Sequence, residues 1–202
     1  MNTGITTIID LIRHGEPAGG PMFRGSQDDP LSETGWQQMR GALSENDTWS
    51  RIITSPLMRC REFAEQLASE RGIPLEQDER LREISFGAWE GMTADTILAG
   101  APEALARFWR DPVAHPPPGG EPMAEFHARV REAWHHWCRE AAGQRVLVMC
   151  HGGVIRMILA EVMGIPLTRS FSVLAVPYAC RSRVRIDHSD HGVLSSLQSH
   201  GV

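Results

Sequence analysis

Ile8-Ile9-Asp10-Leu11-Ile12-Arg13-His14-Gly15-Glu16 is a short apolar run that ends at an arginine, a histidine and a glycine. A run of this length reads as a buried strand. A charged, glycine-bearing segment directly after a central strand is where an open α/β sheet places its chemistry. The pattern therefore marks a site rather than a packing position.

The same arrangement recurs twice. Arg51–Thr54 reads as a second strand and leads into Ser55-Pro56-Leu57, with Arg59 in the first turn of the helix that follows. Serine as N-cap and proline at the first helical position are a strong helix start. Leu57, Cys60, Ala64, Leu67 and Ala68 then recur at helical spacing up to Gly72. Val146-Leu147-Val148-Met149 reads as a third strand, apolar throughout as a central parallel strand is, and His151-Gly152-Gly153 opens the next helix, Val154 to Met163. Gly164 and Pro166 stop that helix.

Between these units, Ser32 is a candidate N-cap for a helix with Trp36, Met39 and Leu43 inward, and residues 101–110 and 124–142 are two further helices. Residues 171–176 and 180–186 read as late strands, and the polar tail from His188 onward reads as loose. Pro116-Pro117-Pro118-Gly119-Gly120 reads as a loop over the site rather than a linker, because neither half of the chain has enough strands to stand alone. The expectation is one domain spanning residues 1–202: a three-layer α/β/α sandwich with a mostly parallel central sheet.

Composition narrows the function. The 202 residues carry a formal charge of −5, which argues against a general nucleic-acid or membrane-surface binder, so an anion site must be a local arginine cluster. No apolar run approaches the roughly 18 residues of a membrane span and no leader pattern is visible, so a cytoplasmic protein is expected. Cys60, Cys138, Cys150 and Cys180 are widely spaced, so neither disulfides nor a zinc site is expected. Adjacent His135-His136 point apart on a helix, and His188, Asp190 and His191 lie in the tail, so no metal is assigned to either group. Trp134 and Trp137 read as core, although several tryptophans could equally cover a homodimer interface.

If the three strands are neighbours, Arg13, Arg59, His14, His151 and free helix N–H groups converge on one pocket. That set suits a phosphate, because guanidinium forks match its oxygens and helix N-termini favour negative charge. A neutral imidazole beside such cations invites attack on phosphorus and a phosphohistidine. Arg13 helps keep His14 unprotonated by like-charge repulsion, and the second ring nitrogen needs a fixed acceptor.

Five motifs in order carry a family resemblance: Arg13-His14-Gly15-Glu16; Arg24-Gly25 with Asp28-Asp29-Pro30-Leu31-Ser32; Ser55-Pro56-Leu57 with Arg59; Glu83 with Phe86-Gly87-Ala88-Trp89-Glu90-Gly91; and His151-Gly152-Gly153. Together they resemble the histidine phosphatase superfamily, the phosphoglycerate mutase-like proteins. The resemblance implies His14 as nucleophile, Arg13, Arg59, His151 and Gly152 around the phosphoryl oxygens, and Glu83 as proton donor to the leaving alcohol. It implies no cofactor and no metal, since arginines supply the charge stabilisation. Such an acid must be held neutral before transfer, by burial or nearby negative charge. Glu79 and Glu90 compete with Glu83 for the role, and Arg24, Trp89 and Met92 are candidates for the substrate pocket.

Two departures matter. Pro17 and Gly20 stand where relatives have Thr or Ser and an asparagine, which removes a side-chain contact to phosphate that a backbone amide would have to replace. Glu83-Ile84-Ser85-Phe86-Gly87 stands where mutases have Glu-Arg-x-Tyr-Gly, which favours a phosphatase. The Phe-Gly-x-Trp-Glu-Gly form, with Gly119-Gly120-Glu121, resembles the α-ribazole phosphatases of cobalamin synthesis. The expected partner is a small phosphorylated substrate. The alternatives are a phosphoglycerate-type mutase and an inactive module that binds phosphorylated ligands or proteins.

Overall fold

The computed structural model describes residues 4–190 and 192–201, and His191 lies outside them. Six strands form one sheet: β1 (Ile5–Arg13), β2 (Arg51–Thr54), β3 (Leu75–Gln77), β4 (Arg145–Cys150), β5 (Arg181–Ser189) and β6 (Gly192–His200), in the order β3-β2-β4-β1-β5-β6. The first four strands in that order pair in parallel, and β5 and β6 add an antiparallel edge. The helices are α1 (Glu33–Gly41), α2 (Met58–Arg71), α3 (Ala94–Gly100), α4 (Pro102–Arg110), α5 (Met123–Glu140) and α6 (Gly152–Met163). This is an α/β fold with helices on both faces.

Alternation along the strands builds the layers. Ile12, Ile52, Leu147 and Met149 face Met39 of α1 and Phe63, Ala64 and Leu67 of α2. Ile9, Leu11, Val146 and Val148 face Phe126, Val130 and Trp134 of α5 and Val154, Ile155 and Ile158 of α6. A central strand that buries both faces shows no polar alternation, which is why β1 and β4 read as apolar runs.

Asp10 is the exception. It is fully buried in β1 and accepts hydrogen bonds from Trp49 Nε1 (2.8 Å), Arg183 Nε (2.8 Å), Arg181 Nη2 (3.0 Å) and Arg145 Nη2 (3.1 Å). Asp47 pairs with Arg181 at 2.7 Å and Arg145 at 3.1 Å. This ion network ties β1, β4 and β5 to the loop before β2, and the arginine bonds outweigh burial and lower the affinity of both carboxylates for protons.

Several expectations need correction. Residues 171–176 form a turn followed by irregular chain, not a strand, because Phe171 is drawn into ring contact with Phe108 (5.3 Å) and Trp109 (6.1 Å). The tail from His188 is not loose: it completes β5 and returns as β6, paired from Ser189↔Gly192 to Ser182↔His200. Its polar composition suits an edge strand with little core to face. Ser55 does not cap α2. The helix begins at Met58 after Leu57, and the Met58 N–H is taken by Asp28 Oδ1 at 2.6 Å. The Ser32 cap is in place, with its Oγ accepting from Gly35 N at 3.0 Å. All four cysteines are free and buried, and Trp134 and Trp137 lie in the core. Among the described residues, no helix is long and apolar enough to cross a membrane.

Candidate active site

Strands β2, β4 and β1 are adjacent and parallel, so their C-terminal ends bring the three motifs together. A cavity of about 310 Å³ opens there, and Arg13, His14, Arg24, Gly25, Arg59, Glu83 and Gly152 all line it.

His14 leaves β1 as its backbone N–H donates to Cys150 O at 3.0 Å, and only 5% of its surface is exposed. Its Nδ1 lies 2.7 Å from Gly15 O. A carbonyl only accepts, so Nδ1 carries the proton and Nε2 keeps its lone pair. Burial, then the charges of Arg13 and Arg59, push the proton affinity of this imidazole well below its ordinary value. The ring is therefore neutral, with a nucleophilic nitrogen fixed in place. Gly15 permits this geometry, because a Cβ there would stand 2.2 Å from Gly35 O, the point where the loop crosses α1.

Arg13 is held by Nη1 donating to Val176 O at 2.6 Å and by the ring of Tyr178, 4.2 Å from its guanidinium carbon. Its Nε is buried with no hydrogen-bond partner among the described residues. Arg59 is 1% exposed and donates to Gln27 O (2.6 Å) and Gly25 O (2.8 Å). It sits in the first turn of α2, as expected, and is not part of a solvated face. Arg24 lines the cavity but is committed to Asp29 (2.9 Å) and to the carbonyls of Ala18 (2.5 Å) and Gly20 (2.7 Å).

The three glutamates separate by what they touch. Glu90 accepts from Ser26 N, Ser26 Oγ, Ser85 Oγ and Phe86 N, and so ties two loops together. Glu79 is 74% exposed and pairs with Arg82. Glu83 alone reaches the cavity, where its carboxylate accepts from Gly153 N (3.1 Å) and Ile84 N (3.1 Å). A Cβ on Gly153 would stand 2.3 Å from Glu83 Oε1, so the carboxylate can reach the start of α6 only because residue 153 is glycine. The guanidinium groups of Arg13, Arg59 and Arg156 face it across the cavity.

His151 is fully buried and does not line the cavity. It packs edge-on against His14, ring centroids 5.2 Å apart, with Nε2 2.7 Å from Ser55 Oγ and the Cys60 thiol beside it. Burial, then Arg59, hold it neutral as well. Burial pushes the Cys60 thiol far above its usual range, so it is an inert wall rather than a nucleophile.

Two pocket residues expected from sequence are not on the wall. Trp89 is buried in a ring cluster with Phe23 (5.8 Å) and Phe108 (5.6 Å), and Met92 turns to solvent at 38% exposure. The Pro116–Gly120 loop does not cover the site either. It buttresses the turn after Glu83, with Ala88 N donating to Pro118 O at 2.8 Å and Glu121 N to Ser85 O at 2.9 Å. Phe23, Trp109, Phe171 and Tyr178 supply the apolar wall instead, and Arg156 adds a guanidinium. Sequence reasoning missed these residues. Arg156 had a signal, since it lies four residues after Gly152 and so on the same helix face. Tyr178 sits between secondary structures and had none.

Comparison with known proteins agrees with this geometry. The chain is 30% identical over 171 residues to the glucosyl-3-phosphoglycerate phosphatase of Mycolicibacterium vanbaalenii, covering 78% of this chain and 74% of that one. It is 32% identical over 161 residues to bifunctional protein Rv2228c of Mycobacterium tuberculosis, where the match covers 77% of this chain but spans only 44% of that longer protein. The solved structure of Bacillus stearothermophilus YhfR is 34% identical, with a TM-score of 0.82 over 95% of this chain and 96% of that one. The family model of the histidine phosphatase superfamily (branch 1) matches residues 9–198. With the match spanning nearly the whole length and the motif residues gathered around one cavity, the chain belongs to the histidine phosphatase superfamily.

Proposed function

We propose that this protein is a phosphomonoesterase that acts on a small phosphorylated metabolite through a phosphohistidine at His14. The observation that carries the reading is the His14 ring: its tautomer is fixed by Gly15 O and it is kept neutral between guanidinium groups. Arg13, Arg59 and the start of α6 surround the phosphoryl oxygens as His14 Nε2 attacks. The N–P bond forms as the P–O bond to the alcohol breaks, and Glu83 delivers its proton to the departing oxygen. Water then attacks phosphorus and gives a proton back to Glu83, and phosphate and free His14 result. Because the arginines carry the developing charge, the reaction needs no metal. His151, being fully buried, acts through the His14 ring it packs against rather than by direct contact.

The Phe86-Gly87-Ala88-Trp89-Glu90-Gly91 motif directs the search within this class to α-ribazole phosphate. The rings of Phe23, Trp109 and Phe171 along the cavity offer its aromatic base a surface. The test is phosphate release, with chelator present, from α-ribazole phosphate, 3-phosphoglycerate, phosphoserine and an aryl phosphate. Preference for the first by two orders of magnitude supports the cobalamin reading, and comparable turnover of several esters removes it. Transfer of label to a second hydroxyl instead of water indicates a mutase, and no turnover at all leaves a binding module. His14→Ala is expected to abolish an acid-labile, base-stable phosphoenzyme. A labelled adduct surviving in that variant overturns the nucleophile assignment.

A further inference from the structure

We infer that Arg156 forms a second anion subsite in the cavity and selects phosphomonoesters whose leaving alcohol is itself negatively charged. The inference rests on the phosphatase reading above but not on α-ribazole phosphate, whose nucleoside alcohol is uncharged.

Arg156 leaves α6 one turn after Gly152. Its Nη1 lies 3.0 Å from where a Cβ of Gly152 would stand, with Arg13 Nε 3.4 Å from the same point. The guanidinium therefore occupies the space the glycine leaves, next to the phosphate-binding arginine. It is held there from outside: Nε donates to Leu174 O at 3.2 Å and the charge rests over the Phe171 ring at 5.5 Å. Among the described residues no carboxylate pairs with it, whereas Arg24 in the same cavity is matched by Asp29.

Charge counting gives the ligand class. Arg13, Arg59 and Arg156 bring three positive charges, and the two imidazoles are neutral. In its acid role Glu83 carries a proton and no charge. Asp28 near Arg59 is solvent-exposed and occupied at Met58 N, so it neutralises little. A bound phosphoryl dianion cancels two charges, and the third faces the part of the cavity that the alcohol must fill. That part is large, because a phosphate takes the room of only a few waters at about 30 Å³ each. A carboxylate or second phosphate on the alcohol would meet Arg156 there, with the body of the alcohol against Phe171 and Trp109.

The test uses matched pairs on the whole protein: 3-phosphoglycerate against glycerol 3-phosphate for a carboxylate, and 1,3-propanediol bisphosphate against the monophosphate for a second phosphate. The wild type is expected to prefer the charged member of at least one pair by on the order of 10-fold in kcat/KM. Arg156→Gln is expected to erase that preference, chiefly through KM, and Arg156→Lys to restore part of it. Three results overturn the inference: no preference in the wild type, a preference that survives Arg156→Gln, or equal loss on both members of each pair. The last would make Arg156 a ligand of the phosphoryl group. Phosphohistidine formation from the uncharged esters is read in parallel. Its absence counts against the phosphatase reading itself, so the two failures are separable.

Discussion

Gly153→Ala is the substitution that most sharply tests how Glu83 is placed. The new methyl would stand 2.3 Å from Glu83 Oε1 and 3.2 Å from both Glu83 Cδ and Phe126 Cζ. Ordinary carbon contacts begin near 3.5 Å, so the carboxylate must retreat by roughly 1 Å. That retreat breaks the 3.1 Å bond from Gly153 N. A misplacement of about 1 Å at a reacting group costs on the order of 10²-fold in rate. Folding moves the other way, since alanine in a helix is about 0.5–1 kcal/mol better than glycine, which offsets the tight approach to Phe126. The assay is phosphate release from an alkyl ester and from p-nitrophenyl phosphate, with a thermal melt of each variant. Alkyl turnover should fall about 10²-fold. Aryl turnover should fall much less, because that alcohol leaves with little need of a proton, and the melting temperature should stay within a few degrees. Alkyl turnover within threefold of wild type at an unchanged melting temperature would refute the acid assignment, as would equal loss on both esters.

Three further outcomes follow from particular contacts. Asp10→Asn leaves Arg145, Arg181 and Arg183 around a neutral amide in a fully buried position; breaking a buried pair from one side costs about 3–5 kcal/mol, read as a lower urea midpoint, and an unchanged midpoint would show that water already screens the network. His14 and His151 are held neutral in the folded state, so below about pH 6.5 the unfolded chain binds protons that the folded chain does not. Stability should therefore drop as pH falls through that window, by about 1.4 kcal/mol per pH unit for each ring, and His14→Gln should remove half of the slope; Asp10 and Asp47, whose proton affinity is lowered, add a second loss only below about pH 4. Tyr178→Leu removes the ring over Arg13 and should weaken competitive inhibition by inorganic phosphate about fivefold, a cation–π contact being worth ~1 kcal/mol. Tyr178→Phe keeps the ring and should restore most of it, and identical effects from both variants would point to the hydroxyl instead.

The parallel core of this protein, and the motifs that gather at one end of it, could be read from local pattern alone. Strands β1, β2 and β4 were legible because burial on both faces leaves largely apolar runs, and Arg13, His14, Arg59, His151 and Gly152 follow their ends in local motifs that do not depend on distant chain. Edge and loop structure was not legible in the same way. Strand β6 is polar, so only its pairing with β5 distinguishes it from a loose tail. Residues 171–176 carry strand-like side chains, but they form no strand, and Phe171 among them joins the pocket wall instead.

Packing showed why Glu83, which the motif spacing had singled out, is the one of the three glutamates at the cavity: Glu79 pairs outward with Arg82 and Glu90 is taken by Ser26, Ser85 and Phe86. It likewise moved Trp89 and His151 behind the wall and brought Arg156 and Tyr178 onto it. The difference is one of range. Periodicity and caps act within a few residues, whereas a cavity wall is assembled from side chains more than a hundred positions apart, whose meeting depends on how the helices pack across the sheet.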